Sequence, residues 1–351
     1  MNQDTSVKSM TETVQKLVTG VTVCLFIVFL AFFTFYAYVV GMRNEHLQLQ
    51  APIEFQVHAG ENFYNLIDRF AKENLIEDPW RLIWLARFDR RLGDIKQGLY
   101  LLQPNDTLGD VFSAMIEGRE MMFQVTFIEG SRIEDAISIL AEAPRLKKEI
   151  DLSKPLLQQL DIDEQHPEGF FFPDTYSYRA GDSDKVILKK AYTRLKKELE
   201  QVWLNRAEDL PYQSPYELLI MASIIEKETS VEAERSLVSA VFVNRLRKKM
   251  RLQTDPTVIY GMGKRYKGNI KRKHLREKTA YNTYQIKGLP PTPIALSGRA
   301  SIDAAAHPAH VPYLFFVAKK NGYHHFSQTL AEHESAVDEY QRNIKRKKKR
   351  H

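Results

Sequence analysis

The chain has 351 residues, 44 % of them apolar and 27 % charged, a composition that builds folded domains and excludes disorder over most of its length. Its net charge of +6 suits an anionic partner, although much of the excess lies in two local runs. The single cysteine, Cys24, excludes an intrachain disulfide framework and a cysteine-based metal site.

Residues 1–16 are polar and carry Lys8 and Lys16. Leu17–Val40 follows without a charge, LVTGVTVCLFIVFLAFFTFYAYVV, and exceeds the about 20 residues that cross a bilayer. A cleaved signal peptide has a shorter apolar core and a small-x-small site after it, and neither is present here. Tyr36 and Tyr38 suit the far interface, and Lys8 and Lys16 favour a cytoplasmic N-terminus. The body of the protein then faces the periplasm or the cell exterior.

Residues 53–120 read as a small α+β module. EFQVHAG begins it as a strand, NFYNLIDRFAKENL is helical, and Asp78-Pro79 opens a second helix, PWRLIWLARFD. GLYLLQPNDTLGDVFSAMIEG adds a strand and a further helix. Trp80 and Trp84 share a helix face, as a sugar-stacking platform or as core. From Met121 the pattern turns to a strand, MFQVTF, and a helix, RIEDAISILAEA. PEGFFFPDTYSY reads as a rigid aromatic loop lining the core, and DKVILKKAYTRLKKELEQVWLNRA as a packing helix with a solvated basic side.

The next stretch, Tyr212–Ser230, organises the rest. Ser214, Pro215 and Glu217 form a capping box before the apolar run Leu218–Ile225. Glu226 and Glu228 follow it, and a carboxylate in such surroundings is desolvated toward the pKa of a general acid. Being two residues apart they face nearly opposite sides, and periodicity does not choose between them. Downstream, SLVSAVFVNRLRKKM is a helix with Asn244 and Arg245. Asp255-Pro256 turns the chain before a strand-like TVIYG, which by itself accounts for Asp255, and Asp255 is the natural second carboxylate if a pair is needed. Tyr281, Asn282, Thr283 and Tyr284 suit sugar hydroxyls and pyranose faces, next to a stiff LPPTPIA loop. PYLFFVAKKNGYHHF reads as a β-hairpin turning at Asn321-Gly322.

His307, His324, His325 and His333 lack any established ligand spacing and read as structural or surface histidines. The chain has no G-x-S-x-G, no H-E-x-x-H and no glycine-rich phosphate loop. The basic runs Lys264–Lys278 and Lys345–His351 are solvated segments, the first suited to an anionic glycan. Nucleic acid is not an expected partner of a body outside the cytoplasm.

ASIIEKE (Ala222–Glu228), VFVNRL (Val241–Leu246), LQTDPTVIYG (Leu252–Gly261), YNTYQIKGLPPTPIA (Tyr281–Ala295) and AAAHP (Ala304–Pro308) together resemble the YceG-like family of endolytic murein transglycosylases. PEGFFFPDTY (Pro167–Tyr176) and the anchored layout extend the resemblance over nearly the whole chain. Thr292 and Leu296-Ser297 depart from the family pattern, where glycine and Asn-Pro are expected. The resemblance implies an α+β protein with a cytoplasmic tail (1–16), a signal anchor (17–40), a LysM-like module (53–120), a catalytic domain (121–340) and a basic tail (341–351). It implies cleavage of the β-1,4 bond between MurNAc and GlcNAc without water, leaving 1,6-anhydroMurNAc ends within nascent strands. Glu226 would be the acid and then the base. Ser223, Asn244, Gln253, Asp255, Tyr281, Asn282 and Tyr284 would hold the sugars, with no metal or organic cofactor. Peptidoglycan strands, the inner membrane and membrane-bound peptidoglycan synthases are the implied partners. Two other classes stay open at this point: a hydrolase using Glu226 and Asp255, and a non-catalytic glycan-binding scaffold.

Overall fold

A computed structural model describes residues 3–319 and 321–342. The chain divides into two compact units, residues 1–122 and 123–351.

In the first unit, α1 (Gln3–Gly41) is one continuous helix whose apolar stretch is long enough to cross a membrane and is exposed from Thr13 to Thr34, with Phe35, Val39 and Val40 covered by the module. The module follows as β1 (Ile53–Val57), α2 (Phe63–Lys72), α3 (Pro79–Phe88), β2 (Gly98–Leu102) and α4 (Leu108–Glu117). This is the strand–helix–helix–strand–helix order expected. β1 and β2 pair antiparallel, Ile53 opposite Leu102 and Val57 opposite Gly98. The Asn62 side chain caps α2, Pro79 occupies the first turn of α3, and Thr107 with Asp110 forms a capping box on α4. Phe55, Phe70, Leu82, Leu85 and Phe112 close the core between the sheet and the helices. Trp80 and Trp84 are not part of that core. They are 44 % and 38 % exposed and turn toward α1.

The second unit begins one residue into β3 (Met122–Thr126) and holds α5 (Ile133–Glu142), α6 (Leu156–Gln159), β4 (Thr175–Arg179), α7 (Asp184–Leu204), α8 (Pro215–Glu228) and α9 (Arg235–Arg247). It continues with α10 (Asp255–Met262), α11 (Arg272–Arg276), α12 (Arg299–Ala306), β5 (Phe315–Ala318), β6 (His324–Ser327) and α13 (Leu330–Val337). The strands form only two-stranded sheets among the described residues, β3 with β4 and β5 with β6. Helices therefore carry the core.

At its centre is α8, enclosed by α7, α9, α10 and α12. Leu218 through Ile225 are all buried, so this helix is apolar on every side. Each such Leu or Ile stabilises the fold by about 1.5–3 kcal/mol relative to exposure. The small residues Ala304, Ala305 and Ala306 let α12 lie close to α8. Ser214 Oγ accepts from the Glu217 amide at 3.3 Å, as the cap requires. The Glu217 carboxylate reaches one residue further than expected, to the amide of Gln213 at 2.5 Å.

Phe170, Phe171 and Phe172 are buried, so the aromatic loop does line the core. The β5–β6 hairpin forms as read, with Gly322 in the left-handed region at φ +84°. TVIYG, however, is helical within α10. Asp255 and Pro256 begin that helix rather than a turn into a strand, and Thr257, locked between Thr254 and Thr283, overrides the β preference of Val and Ile. Residues 345–351 of the basic tail lie outside the described residues.

Candidate active site

A cleft of about 500 Å³ opens beside the C-terminal end of α8, within the size range of small-ligand sites. Its polar wall comprises Glu228, Arg245, Gln253, Asp255, Tyr284, His324 and His333, and Phe315 and Phe316 of β5 supply an apolar wall.

Glu228 is the last residue of α8, where a buried helix reaches the cleft floor. One carboxylate oxygen accepts from the Thr254 hydroxyl. Desolvation pushes the carboxyl up to about 6, and Asp255 adds to the rise. The Thr254 hydrogen bond, His324 and Arg245 oppose it.

The 252–255 segment is clamped in place. Gln253 is in the left-handed region at φ +53°, a strained position for a non-glycine residue. Its amide donates to Thr283 O at 3.2 Å, and the Thr254 amide donates to Thr283 Oγ1 at 3.0 Å. Tyr284 then donates its hydroxyl to Asp255 Oδ1 at 2.7 Å. Burial, and then the neighbouring Asp255, holds the Tyr284 phenol well above its ordinary range, so it stays a donor.

Two further groups are built in from α9 and the hairpin. The Arg245 guanidinium donates to Leu314 O and Leu252 O, each at 2.7 Å, fixing its charge at the cleft wall. Burial lowers its pKa, while Tyr284 and Glu228 oppose that shift. His324 is gripped by Glu234, whose two oxygens lie 2.8 Å from the His324 amide and from its Nδ1. This leaves Nε2 as the ring atom without that partner. Among the described residues, no group of three or more His, Cys, Asp or Glu is arranged to hold a metal ion.

The sequence profile of the YceG-like family matches residues 55–339, which includes Glu228, Arg245, Gln253, Asp255, Tyr284, His324 and His333 of this cleft. The chain belongs to the YceG-like family. A Bacillus subtilis protein named endolytic murein transglycosylase is 30 % identical over 83 % of this chain and 85 % of its own length. A Streptococcus pneumoniae protein of the same name is 24 % identical over 80 % of this chain, which spans 57 % of that longer relative. A crystal structure of a yceG-like protein from Listeria monocytogenes is 29 % identical, covers 81 % of this chain and 99 % of its own, and has a TM-score of 0.49.

In this YceG-like chain the structure gathers Gln253, Asp255 and Tyr284 at the cleft and leaves the other expected residues outside its lining. Glu226 leaves the opposite side of α8. Its carboxylate accepts from the amide of Gly298, the N-cap of α12, at 3.0 Å, and lies 3.7 Å from Arg235. Ser223 is fully buried, donating to Ile220 O and accepting from the Ile294 amide. Asn244 donates to Val311 O and Tyr313 O, holding the approach to the hairpin. Asn282 is 1 % exposed, and its amide group donates to His274 O and Glu277 O. Tyr281 bonds Thr292 Oγ1 at 2.9 Å and packs on Tyr260, so the departure from glycine at 292 is used to hold the loop.

Glu228, Arg245 and His324 were legible as residues but not as a group. α8 is apolar on all sides, so its periodicity could not mark a cleft side. The contacts that do so come from segments 17 to 96 positions later in the chain.

Proposed function

We propose that the chain is a membrane-anchored endolytic murein transglycosylase, with α1 as anchor, the N-terminus cytoplasmic and the second unit cleaving peptidoglycan on the other side of the inner membrane. Family membership and the name of the 30 % identical relative support the activity. The apolar α1 supports the anchor. The observation that carries the chemistry is a carboxyl of raised pKa, Glu228, at the floor of a polar cleft.

In this reading Glu228, rather than Glu226, is the acid and base. Protonated Glu228 gives its proton to the oxygen joining MurNAc C1 to GlcNAc C4 as the C1–O bond breaks. The resulting carboxylate takes the proton of the MurNAc C6 hydroxyl, whose oxygen bonds to C1. The products are a 1,6-anhydroMurNAc end and a GlcNAc with a free 4-hydroxyl, and no water is consumed. One group serving in both directions works best with a pKa near ambient pH. The substrate supplies the nucleophile, so a second enzymic carboxylate is not required. Gln253, the Asp255–Tyr284 pair and Arg245 orient the sugars and their anionic substituents. Glu226 ties α8 to α12 and shapes the site from behind. Cutting within nascent strands would end their elongation, with membrane-bound synthases as partners, and the 53–120 module would act as a LysM-like accessory.

One observation favours a second reading. Asp255 shares the cleft with Glu228, and such a pair also fits hydrolysis. Mass spectrometry of glycan strands digested by the full-length protein decides between them. Internal cuts with 1,6-anhydro ends, lost in Glu228→Gln, are expected. Reducing ends make it a hydrolase, and bound but uncut strands make it a scaffold.

A further inference from the structure

Helix α3 presents an apolar face that its own module does not use. Leu82 and Leu85 are buried inward, whereas Trp80, Ile83, Trp84 and Phe88 stand 44, 38, 38 and 37 % exposed on the other side. A helix apolar on both sides is either enclosed or in contact with lipid.

This face runs along the last part of α1. The Phe88 ring lies 6.4 Å from that of Phe32 and 5.2 Å from that of Tyr36. Trp84 meets Phe35 edge-on at 5.4 Å, and Trp80 is 6.1 Å from Tyr38. The joint is built rather than incidental. Arg81 lies over the Tyr38 ring at 4.0 Å and donates to Tyr38 O and to Glu45, each at 2.7 Å. Val39 and Met42 are buried in the module core, and Arg43 pairs with Asp89. α1 therefore enters the module at a set height.

That height has a consequence if α1 spans a bilayer, on which this inference rests. Even a hydrocarbon core placed as far toward the N-terminus as Lys16 permits takes about 20 residues from Leu17 and ends at Tyr36. Phe32, Phe35 and Tyr36 then lie inside it, and the residues of α3 beside them lie at lipid depth. We infer that the module docks on the membrane it is anchored to, with the headgroup–acyl boundary of the adjoining leaflet covering Trp80, Ile83, Trp84 and Phe88. Amphipathic indole rings favour that boundary. Arg87, stacked at 4.5 Å over Trp84, and exposed Arg90 stand beside the face with charges that suit lipid phosphates. Trp80 and Trp84 thus take lipid rather than sugar, and the module is held flat on the bilayer.

The chain has three tryptophans, so Trp203→Phe leaves only Trp80 and Trp84 as emitters. That full-length variant is reconstituted in phosphatidylcholine/phosphatidylglycerol vesicles, with or without bromine at carbons 6 and 7 of the acyl chains. Docking predicts that emission falls about two-fold or more in the brominated vesicles, as expected for rings at the acyl boundary. Equal emission in both, from protein that resists alkaline carbonate extraction, overturns the docking and leaves the anchor standing. Release by carbonate overturns the anchor, and the docking with it.

Discussion

Glu226 and Glu228 leave the last turn of one helix toward different neighbours. Glu226 accepts from the Gly298 amide at 3.0 Å and faces Arg235, whereas Glu228 accepts from the Thr254 hydroxyl and lines the cleft. Two nearby acids in one motif thus have different partners, Glu226 tied to the Gly298 amide and to Arg235 with Glu129 close by, Glu228 held by Thr254 with Asp255 close by.

Substituting them separates the two roles. Glu228→Gln should lower turnover by about 10³-fold, in the range for a lost general acid, with the fold intact. Glu226→Gln should instead destabilise by about 1–3 kcal/mol, because a side chain only 6 % exposed loses a charge-assisted bond. Assays of anhydro ends beside thermal unfolding measure both. Greater loss of turnover in Glu226→Gln, at equal stability, would return the catalytic role to Glu226.

The pH profile follows from the raised Glu228. Its proton is the one donated, so kcat/KM should be flat below about pH 6 and fall by about tenfold per unit above it. Thr254→Val removes a hydrogen bond that favours the ionised form. The carboxyl pKa rises and the descending limb moves to higher pH. A limb unmoved by that substitution would assign the proton to another group.

Asp255 tests the two product chemistries. If it orients sugar, Asp255→Asn leaves 1,6-anhydro ends at a reduced rate. Tyr284→Phe, which deletes the 2.7 Å bond to Asp255, costs about tenfold in kcat/KM, as for one hydrogen bond. Abolition by Asp255→Asn together with reducing ends in the parent would indicate hydrolysis.

Glu168 makes stability pH-dependent away from the cleft. It is 2 % exposed, accepts from the Ile133 amide at 3.1 Å, and burial pushes it up to about 7. The folded form holds a proton that the unfolded chain releases near 4.5. The stabilisation is fully present below that value and is lost as pH rises through about 7. Urea midpoints should therefore fall between about pH 5 and pH 7.5, and Glu168→Gln should flatten the slope. An unchanged slope in the variant would place the linkage elsewhere.

Much of this was readable along the chain because it depends on local physics. The apolar Leu17–Val40 stretch, the Ser214 cap, the order of elements in residues 53–120 and the Asn321-Gly322 hairpin are set by runs, caps and turn residues within one element. The TVIYG helix was not readable. Its β-branched residues favour a strand, and the hydroxyl of Thr283, 26 positions beyond Thr257, holds them in a helix instead.

The sequence by itself determined that a long apolar stretch precedes a mixed helix-and-strand body, that two glutamates end the central helix, and that Gln253, Asp255 and Tyr284 are candidates for sugar contact. Only the tertiary structure decided which glutamate meets the cleft, and that Arg245 and His324 meet it there. It also decided that Ser223, Asn244, Tyr281 and Asn282 are occupied in bracing the chain. The physical reason is that α8 is buried all round. Its own periodicity carries no direction, so only the neighbours that later segments bring to each side decide which side meets the cleft.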